Sequence, residues 1–248
     1  IYCFSGDYLK NLCDGVQVCL NNNISEIVTN LQRFEPNAMR VVPMIAQHLL
    51  QRIKIVASKN PDMTPAEAAK TVLGRNLNWM TSGGAYLDPI LAEEFDKLGI
   101  MLRQGYGMTE VSSAATIAAG NVTKPGSVGI PMVNTVVSIF EPGTETELPI
   151  GQRGEICICT PTAMKGYYNK PEETAYLLRR HADGQLWAHT GDIGSMDEDG
   201  FVYLDARIKR IIIRHDGFKV FPSMIENVIS RHPAVHQCCV VGCADTDH

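Results

Sequence analysis

The chain has 248 residues, of which 45% are hydrophobic and 20% are charged, and its 22 basic and 27 acidic side chains give a formal net charge of -5. This balance is typical of a globular protein with a substantial core, and it argues against a disordered chain. It also argues against a nucleic-acid carrier, because such a protein needs a basic surface. The longest uncharged run, 125–140, is interrupted by prolines and glycines. It is shorter than the roughly 20 apolar residues of a membrane-spanning helix, so no transmembrane segment is expected.

Residues 1–7 contain neither a basic stretch nor a long apolar core, so no signal peptide is expected. Because the first residue is not methionine, we expect the sequence to be a piece of a longer protein. The eight cysteines are too few for a disulfide scaffold. The cysteines at 157 and 159 and those at 238, 239 and 243 lie among apolar residues and lack a second ligand pair at zinc spacing. We therefore expect reduced thiols in a cytoplasmic protein rather than metal binding by these cysteines.

The first third of the chain alternates helix and strand signals. The patterns predict strands over 15–20 and 39–42, a helix over 24–34 with Ser25 as its cap, and another helix from Pro43. Thr64 and Glu67 form a capping-box pattern that begins a further helix.

A βαβ unit follows these elements. A strand over 76–80, a loop over 81–85, a helix from Asp88 to Lys97 and a strand over 100–103 are predicted. Alternation of this kind favours a doubly wound α/β fold with a parallel sheet.

Beyond about residue 120 the pattern changes to short β-rich runs at 133–140, 154–160 and 201–204. Glycine, proline and acidic turns separate them, which favours a small β-barrel or sandwich. After residue 206 a new α/β pattern begins, with strands over 211–214 and 235–241 on either side of a helix over 222–230.

Two glycine-containing loops carry the first chemical signals. Ser82-Gly83-Gly84-Ala85 follows a predicted strand, where paired glycines let a flat ligand approach the backbone, although a tight turn is the simpler interpretation of this motif alone. In the segment 104–110, a tyrosine between glycines can lie against a base, and a threonine beside a glutamate suits a phosphate oxygen and Mg²⁺. The alternative for this second loop is a helix start with Thr109 as its cap.

Two later segments add polar candidates. The carboxylate of Asp192, in Thr190-Gly191-Asp192, can accept hydrogen bonds from both hydroxyls of a ribose, although a turn residue is the simpler interpretation. Arg207 begins the basic segment 207–214 and suits ribose or phosphate recognition, whereas a solvated basic face is the alternative.

The order of these four segments resembles the adenylate-forming superfamily, which comprises acyl-CoA synthetases, peptide-synthetase adenylation domains and luciferases. The segments 165–169, 171–174 and 232–242 are also similar to that family. The resemblance covers nearly the whole chain. It implies that 1–120 is the C-terminal part of a large α/β subdomain, 121–206 a β-barrel-like subdomain, and 207–248 the truncated start of a small α+β C-terminal lid domain.

The resemblance also implies a reaction and its cofactors. A carboxylate attacks the α-phosphate of ATP in the presence of Mg²⁺, and coenzyme A then displaces AMP from the acyl-adenylate. Tyr106 would stack on adenine, Thr109 would contact the α-phosphate and Glu110 would bind Mg²⁺. Asp192 would bind the ribose, with Arg207 beside it.

The remaining roles implied by the resemblance concern the pocket and the lid. Five residues would line the nucleotide and acyl pockets: Gly83, Gly84, Ala85, Gly107 and Met108. Lys209 would be the hinge of the lid, and Gly217 would line the tunnel for coenzyme A. The expected partners are therefore a small carboxylic acid, ATP and coenzyme A.

The chain departs from the family's pattern at two places. It contains no phosphate loop rich in serine, threonine and glycine and ending in lysine, and it stops before the catalytic lysine of the lid. We therefore expect a fragment that is inactive alone, from an active acid–thiol ligase. The alternatives are an amino-acid adenylation domain that loads a carrier protein and a non-catalytic nucleotide-binding module. The uncharged stretch 111–120 favours an apolar acyl group.

Overall fold

A computed structural model describes residues 8–118, 120–230, 232, 234–235 and 237–243. The chain divides into two compact units, with the boundary between Ile130 and Pro131. In the part of the chain that is described, no helix combines the length and the apolar character needed to cross a membrane.

The first unit is built around a mainly parallel sheet. Its helices are α1 (Lys10–Cys13), α2 (Ile27–Phe34), α3 (Pro43–Lys59), α4 (Pro65–Leu73) and α5 (Pro89–Lys97). Its strands are β1 (Ala38–Val41), β2 (Trp79–Ser82), β3 (Met101–Tyr106) and β4 (Thr116–Ile117). The last strand of its sheet, β5 (Ile130–Pro131), contains the boundary between the two units. The sheet has the order β1-β2-β3-β4-β5, in which β1, β2 and β3 are parallel and β4 runs antiparallel to β3.

The core of this unit lies between the sheet and the helices. Helix α3 buries Leu49 and Ile53 on one face, because apolar residues recur there at helical spacing. Phe95 of α5 and Met80 of β2 are fully buried in the same cluster. This core supports the ends of β2 and β3, from which the candidate loops emerge.

The second unit is built around an antiparallel sheet. Its strands are β6 (Val136–Phe140), β7 (Gly154–Cys159), β8 (Leu178–Arg180), β9 (Leu186–Met196), β10 (Val202–Arg207), β11 (Ile212–Ile213) and β12 (Lys219–Val220). Its helices are α6 (Pro171–Leu177) and α7 (Pro222–Ile229). The main sheet has the order β10-β9-β7-β6, β8 pairs with β9, and β11 pairs with β12.

The predicted α/β region followed by a β-rich region is confirmed as a parallel sheet and an antiparallel sheet. The capping box at Thr64 is present, and the side chain of Asp88 accepts a hydrogen bond from the backbone N–H of Ile90 at the start of α5. Both signals are local, so they form wherever the flanking helix forms.

Three local predictions are wrong. Residues 16–20 belong to no strand and are mostly exposed, so they lack the neighbouring strand that a ladder requires. The predicted cap, Ser25, lies inside a 3-10 turn, Ile24–Glu26, that precedes α2. The cap of this turn is Asn23, whose side chain accepts from the backbone N–H of Ser25. The described residues of 235–241 belong to no strand either, and the N–H of Val240 instead donates to the carboxylate of Glu226.

Candidate functional site

The two glycine-containing loops of the first unit leave the sheet at the same edge. Strands β2 and β3 are parallel neighbours, and Ser82 at the end of β2 is in register with Gln104. Gly83, Gly84 and Ala85 therefore follow β2 beside the end of β3, which carries Tyr106. The carboxyl ends of parallel strands are where α/β sheets bind ligands.

After β3 the chain turns back on itself to form β4. Tyr106 is buried and pairs with Thr116, and its carbonyl oxygen accepts a hydrogen bond from the N–H of Ala115 at 2.8 Å. Thr109 and Glu110 lie between them in a single 3-10 turn, Thr109–Val111, whose cap position is occupied by Met108. The alternative in which Thr109 caps an α-helix is therefore wrong.

The turn that carries Thr109 and Glu110 has an unusual backbone. Ser112 has a φ of 65° and Ser113 a φ of 128°, and residues other than glycine rarely adopt backbone angles in this region. Thr109 is exposed and Glu110 is half-buried. Strain of this kind persists where surrounding structure enforces it, and it is frequent at ligand sites.

Gly107 is required by the close approach of two backbone segments. A Cβ on this residue would collide with the carbonyl oxygen of Ser113 and would lie 2.7 Å from the Cα of Ala114. The hairpin can therefore close only over a residue without a side chain.

Ser82 carries an orphaned hydroxyl at this edge, and the Oγ of Ser113, in the loop after β3, is also without a partner among the described residues. Ser82 is fully buried, and its Oγ has no hydrogen-bond partner among the described residues. Buried polar groups are nearly always hydrogen-bonded, so this hydroxyl fits a position at which a ligand or a water supplies the partner.

In the second unit, Asp192 and Arg207 are a cross-strand pair of β9 and β10. The guanidinium Nε of Arg207 lies 2.9 Å from Oδ1 of Asp192. The carboxylate side chain is only 5% exposed, whereas that of Arg207 is 61% exposed. The structure therefore brings together the two residues for which the sequence suggested ribose recognition.

The segment before Asp192 is held by side chains that the sequence analysis did not select. The hydroxyl of Thr190 donates to the carbonyl oxygen of Ile156 at 2.7 Å and accepts from the N–H of Asp192 at 3.0 Å. The carboxylate of Glu155 accepts from the N–H of Gly191 at 2.9 Å. A charged residue inside the otherwise apolar strand 154–159 is the sequence signal that could have found it.

Glu155, Cys157 and His189 form a buried cluster of titratable groups. One polar atom from each lies within 4.8 Å of the others, a spacing that is compatible with a metal ion. Nδ1 of His189, however, already lies 2.9 Å from Oε2 of Glu155 and 3.4 Å from the sulfur of Cys157. Burial raises the pKa of the Cys157 thiol, and the nearby Glu155 carboxylate adds to this effect, which disfavours the thiolate that a metal requires. A hydrogen-bonded network therefore accounts for the cluster better than a metal site does.

The two remaining predicted residues lie in the last part of the second unit. Lys209 is exposed in the 3-10 turn Ile208–Arg210, immediately after β10. Gly217 has a φ of 81° in the turn between β11 and β12, and a Cβ there would meet open space. Backbone conformation, rather than crowding, therefore accounts for this glycine in the structure.

Comparisons with known proteins identify the family of the chain. Residues 2–168 match the family model described as AMP-binding enzyme. The chain is 34% identical over 230 residues to a probable 4-coumarate–CoA ligase 1 of Dictyostelium discoideum, covering 89% of this chain and 39% of that protein. It is 40% identical over 168 residues to a long-chain-fatty-acid–CoA ligase of Bacillus subtilis strain 168, covering 66% of this chain and 29% of that protein.

A solved structure shows the same fold. An O-succinylbenzoate coenzyme A synthetase from Bacillus subtilis, in complex with ATP and magnesium ion, superposes with a TM-score of 0.76 at 26% sequence identity. The match covers 96% of this chain and 46% of that one. The chain thus spans less than half the length of each of these similar proteins.

Proposed function

The chain belongs to the AMP-binding enzyme family of adenylate-forming ligases, and we propose that it is part of an acyl-CoA synthetase. The proposed reaction activates a carboxylic acid with ATP as an acyl-adenylate and then transfers the acyl group to coenzyme A. The observation that carries this proposal is the pairing of β2 with β3. It sets the loop of Gly83 and Gly84 beside the loop of Tyr106 at one edge of the sheet.

In this proposal the loop after β3 binds the nucleotide. Tyr106 lies against adenine, the Gly107 and Met108 backbone lets the ligand approach closely, and the Thr109 hydroxyl donates to the α-phosphate. Glu110 would hold Mg²⁺, which prefers carboxylate and phosphate oxygens and offsets the negative charge that gathers on the phosphates. The half-buried position of Glu110 and the orphaned hydroxyl of Ser82 support a ligand at this edge.

The ribose is assigned to Asp192, with Arg207 fixing the carboxylate. The 2.9 Å ion pair between them supports this role, because an ionised acceptor held in place can bind two neighbouring hydroxyls. Lys209 is proposed as the hinge of a lid over 207–248 and Gly217 as part of the coenzyme A tunnel. We also propose that the chain has three parts, 1–120, 121–206 and 207–248, and that the first sheet belongs to a doubly wound α/β fold. We further propose that the protein is cytoplasmic and that this chain is inactive alone.

Calorimetric titration of AMP and of ATP with Mg²⁺ into the chain tests the nucleotide site. We expect weak AMP binding that becomes at least about tenfold weaker in Asp192→Ala, the loss produced by about 1.4 kcal/mol. Asp199→Ala, which removes an exposed carboxylate from a turn of the same unit, is the matched control and should bind as the wild type does. A chain that is folded by circular dichroism but binds neither nucleotide would contradict the proposal.

A further inference from the structure

Glu155 occupies an unusual position for a carboxylate. It lies in β7, is 4% exposed, and is followed in the strand by the fully buried Ile156 and Cys157. Burying a carboxylate is costly unless its oxygens are hydrogen-bonded. Both oxygens of Glu155 are engaged, and both partners lie in the neighbouring strand β9.

These two contacts lie on either side of Thr190, and the second is made by the residue just before the proposed ribose ligand, Asp192. Oε2 of Glu155 lies 2.9 Å from Nδ1 of His189, and Oε1 accepts from the N–H of Gly191 at 2.9 Å. Thr190, between them, is bound to the carbonyl oxygen of Ile156 in the same strand as Glu155. One carboxylate therefore fixes the segment 189–191 from both sides, and Asp192 is the next residue.

His181 fixes the ring of His189 from its other nitrogen. The Nε2 atoms of the two rings are 2.9 Å apart, and His181 packs edge-on to Phe140 and stacks with Trp187. With Glu155 ionised, His189 Nδ1–H donates to the carboxylate, so His189 Nε2 accepts from His181 Nε2–H. Oε2 of Glu155, both ring nitrogens of His189 and Nε2 of His181 then each have a hydrogen-bond partner.

The electrostatics of the cluster favour the ionised carboxylate. Burial acts to raise the pKa of Glu155, but the hydrogen bonds from His189 and Gly191, together with nearby positive charge, lower the pKa below its ordinary value. An ionised acceptor forms stronger hydrogen bonds to a backbone N–H than a neutral one does.

We propose that Glu155 is a positioning residue for Asp192, holding the Gly191 backbone and the His189 ring with its two oxygens so that the Asp192 carboxylate is preset for the ribose hydroxyls. This inference rests on the proposed function for the role of Asp192. The hydrogen bonds from Glu155 to the segment 189–191 do not depend on that function.

The test compares the binding of AMP with that of 2′,3′-dideoxy-AMP, which lacks both ribose hydroxyls. The wild-type chain should bind AMP more tightly than the dideoxy nucleotide. Glu155→Ala should weaken AMP binding about tenfold and leave binding of the dideoxy nucleotide unchanged, because the lost positioning acts only through the hydroxyls. A general structural role would weaken both nucleotides equally, and that result would overturn the proposal.

Two further variants control the experiment. Glu155→Gln should bind AMP within about threefold of the wild type, a change below about 0.7 kcal/mol. Its amide oxygen can still accept from Gly191, and its NH₂ can donate to the other tautomer of His189. Glu198→Ala removes an exposed carboxylate of the same unit and should change neither affinity. If Glu155→Ala does not fold, Glu155→Asp replaces it, since the shorter side chain withdraws the oxygens from Gly191 but keeps the charge.

Amide exchange at Gly191 separates this inference from the proposed function. If the folded wild-type chain fails to bind AMP, the proposed function fails, and exchange then decides the positioning step. The Gly191 N–H should exchange slowly in the wild type and in Glu155→Gln, and at least about tenfold faster in Glu155→Ala. Equal protection in all three chains would overturn the inference whatever the binding result.

Discussion

At the scale of single residues, Gly107 shows how a close backbone approach constrains the loop after β3. A Cβ there would meet the backbone of Ser113 and Ala114, neither of which can move without opening the hairpin. We expect Gly107→Ala to lower the free energy of unfolding by about 1–3 kcal/mol, the usual cost of forcing atoms into packed space. Urea unfolding of the chain measures this cost.

Gly105→Ala is the control for that change. Gly105 lies near the end of β3, two residues before Gly107. A Cβ added to Gly105 would have the carbonyl oxygen of Thr116 as its nearest atom, at 3.4 Å, which is an ordinary contact. The urea concentration at the unfolding midpoint of Gly105→Ala should stay close to that of the wild type. Equal midpoints for the two variants would show that the hairpin adapts to a side chain at 107.

The thiol of Cys157 provides a second residue-scale prediction. It is fully buried, and burial raises its pKa, so the reactive thiolate is scarce in the folded chain. Cys13, Cys19, Cys239 and Cys243 are exposed free thiols. Brief alkylation with iodoacetamide at pH 8, followed by peptide mass spectrometry, should modify the exposed cysteines and leave Cys157 unmodified.

Denaturant supplies the control for alkylation. In about 6 M guanidinium the chain unfolds and all cysteines become exposed to solvent, so Cys157 should react as fast as the others. Alkylation of Cys157 in the native chain at the rate of Cys13 would mean that β7 is accessible.

At the scale of elements, the capping box decides how α4 begins. Thr64 accepts from the N–H of Glu67, and the Glu67 carboxylate accepts from the N–H of Thr64. Thr64→Ala removes the first of these bonds and should cost about 1 kcal/mol of unfolding free energy. Thr64→Ser keeps the hydroxyl and should recover most of it in the same urea titration, and failure to do so would point to the methyl group instead.

Helix α7 is fastened to its surroundings through Glu226. The carboxylate accepts from the N–H of Val240 at 2.8 Å and pairs with Arg210 at 2.6 Å, and these two hydrogen bonds lower its pKa. A lowered pKa means that the stabilisation is present above the ordinary value of 4.5 and is lost as the pH falls below it. Because Arg210 is half-exposed, solvent weakens its ion pair with Glu226.

Hydrogen exchange at Val240 tests the hydrogen bond between its N–H and the Glu226 carboxylate. Protection of its N–H, corrected for intrinsic exchange, should fall as the pH drops below 4.5 in the wild type. It should be low at every pH in Glu226→Ala. Glu147→Ala, an exposed carboxylate elsewhere in the unit, should behave as the wild type does. If protection of the Val240 N–H does not depend on pH, the Glu226 carboxylate is not the acceptor that protects it from exchange.

At the scale of the whole molecule, each of the two compact units has a core of its own. Phe95 is fully buried in the first unit and Ile156 in the second. Phe95→Ala should cost about 3–5 kcal/mol and Ile156→Ala about 2–5 kcal/mol through the cavities that they leave. Exchange measured by mass spectrometry should rise only in the unit that carries the substitution, and a rise throughout the chain would mean that the units unfold as one.

The sequence predicted well several features that are set by neighbours along the chain, although the caps suggested at Ser25 and Thr109 were wrong. The capping box at Thr64, the cap at Asp88 and the helix from Pro43 depend on side chains within one turn, so their signals are complete in the sequence. The strand at 15–20 was wrong because a strand needs a partner, and its pattern carries no information about whether one is present. The segment 235–241 failed for the same reason.

For the candidate site, the sequence by itself determined the residue types and their order. The tyrosine at the end of β3, the glycines beside it and the glutamate after it can be identified from the sequence alone. So can the aspartate and the arginine further along the chain. The family resemblance implied that Arg207 lies beside Asp192, and the tertiary structure supplied the contact between them. Only the tertiary structure decided that Glu155 holds Gly191, because strand register sets contacts between residues far apart in the chain. The carboxylate of Glu155 acquires its role from burial and from β9 beside it, and neither is encoded in its own strand.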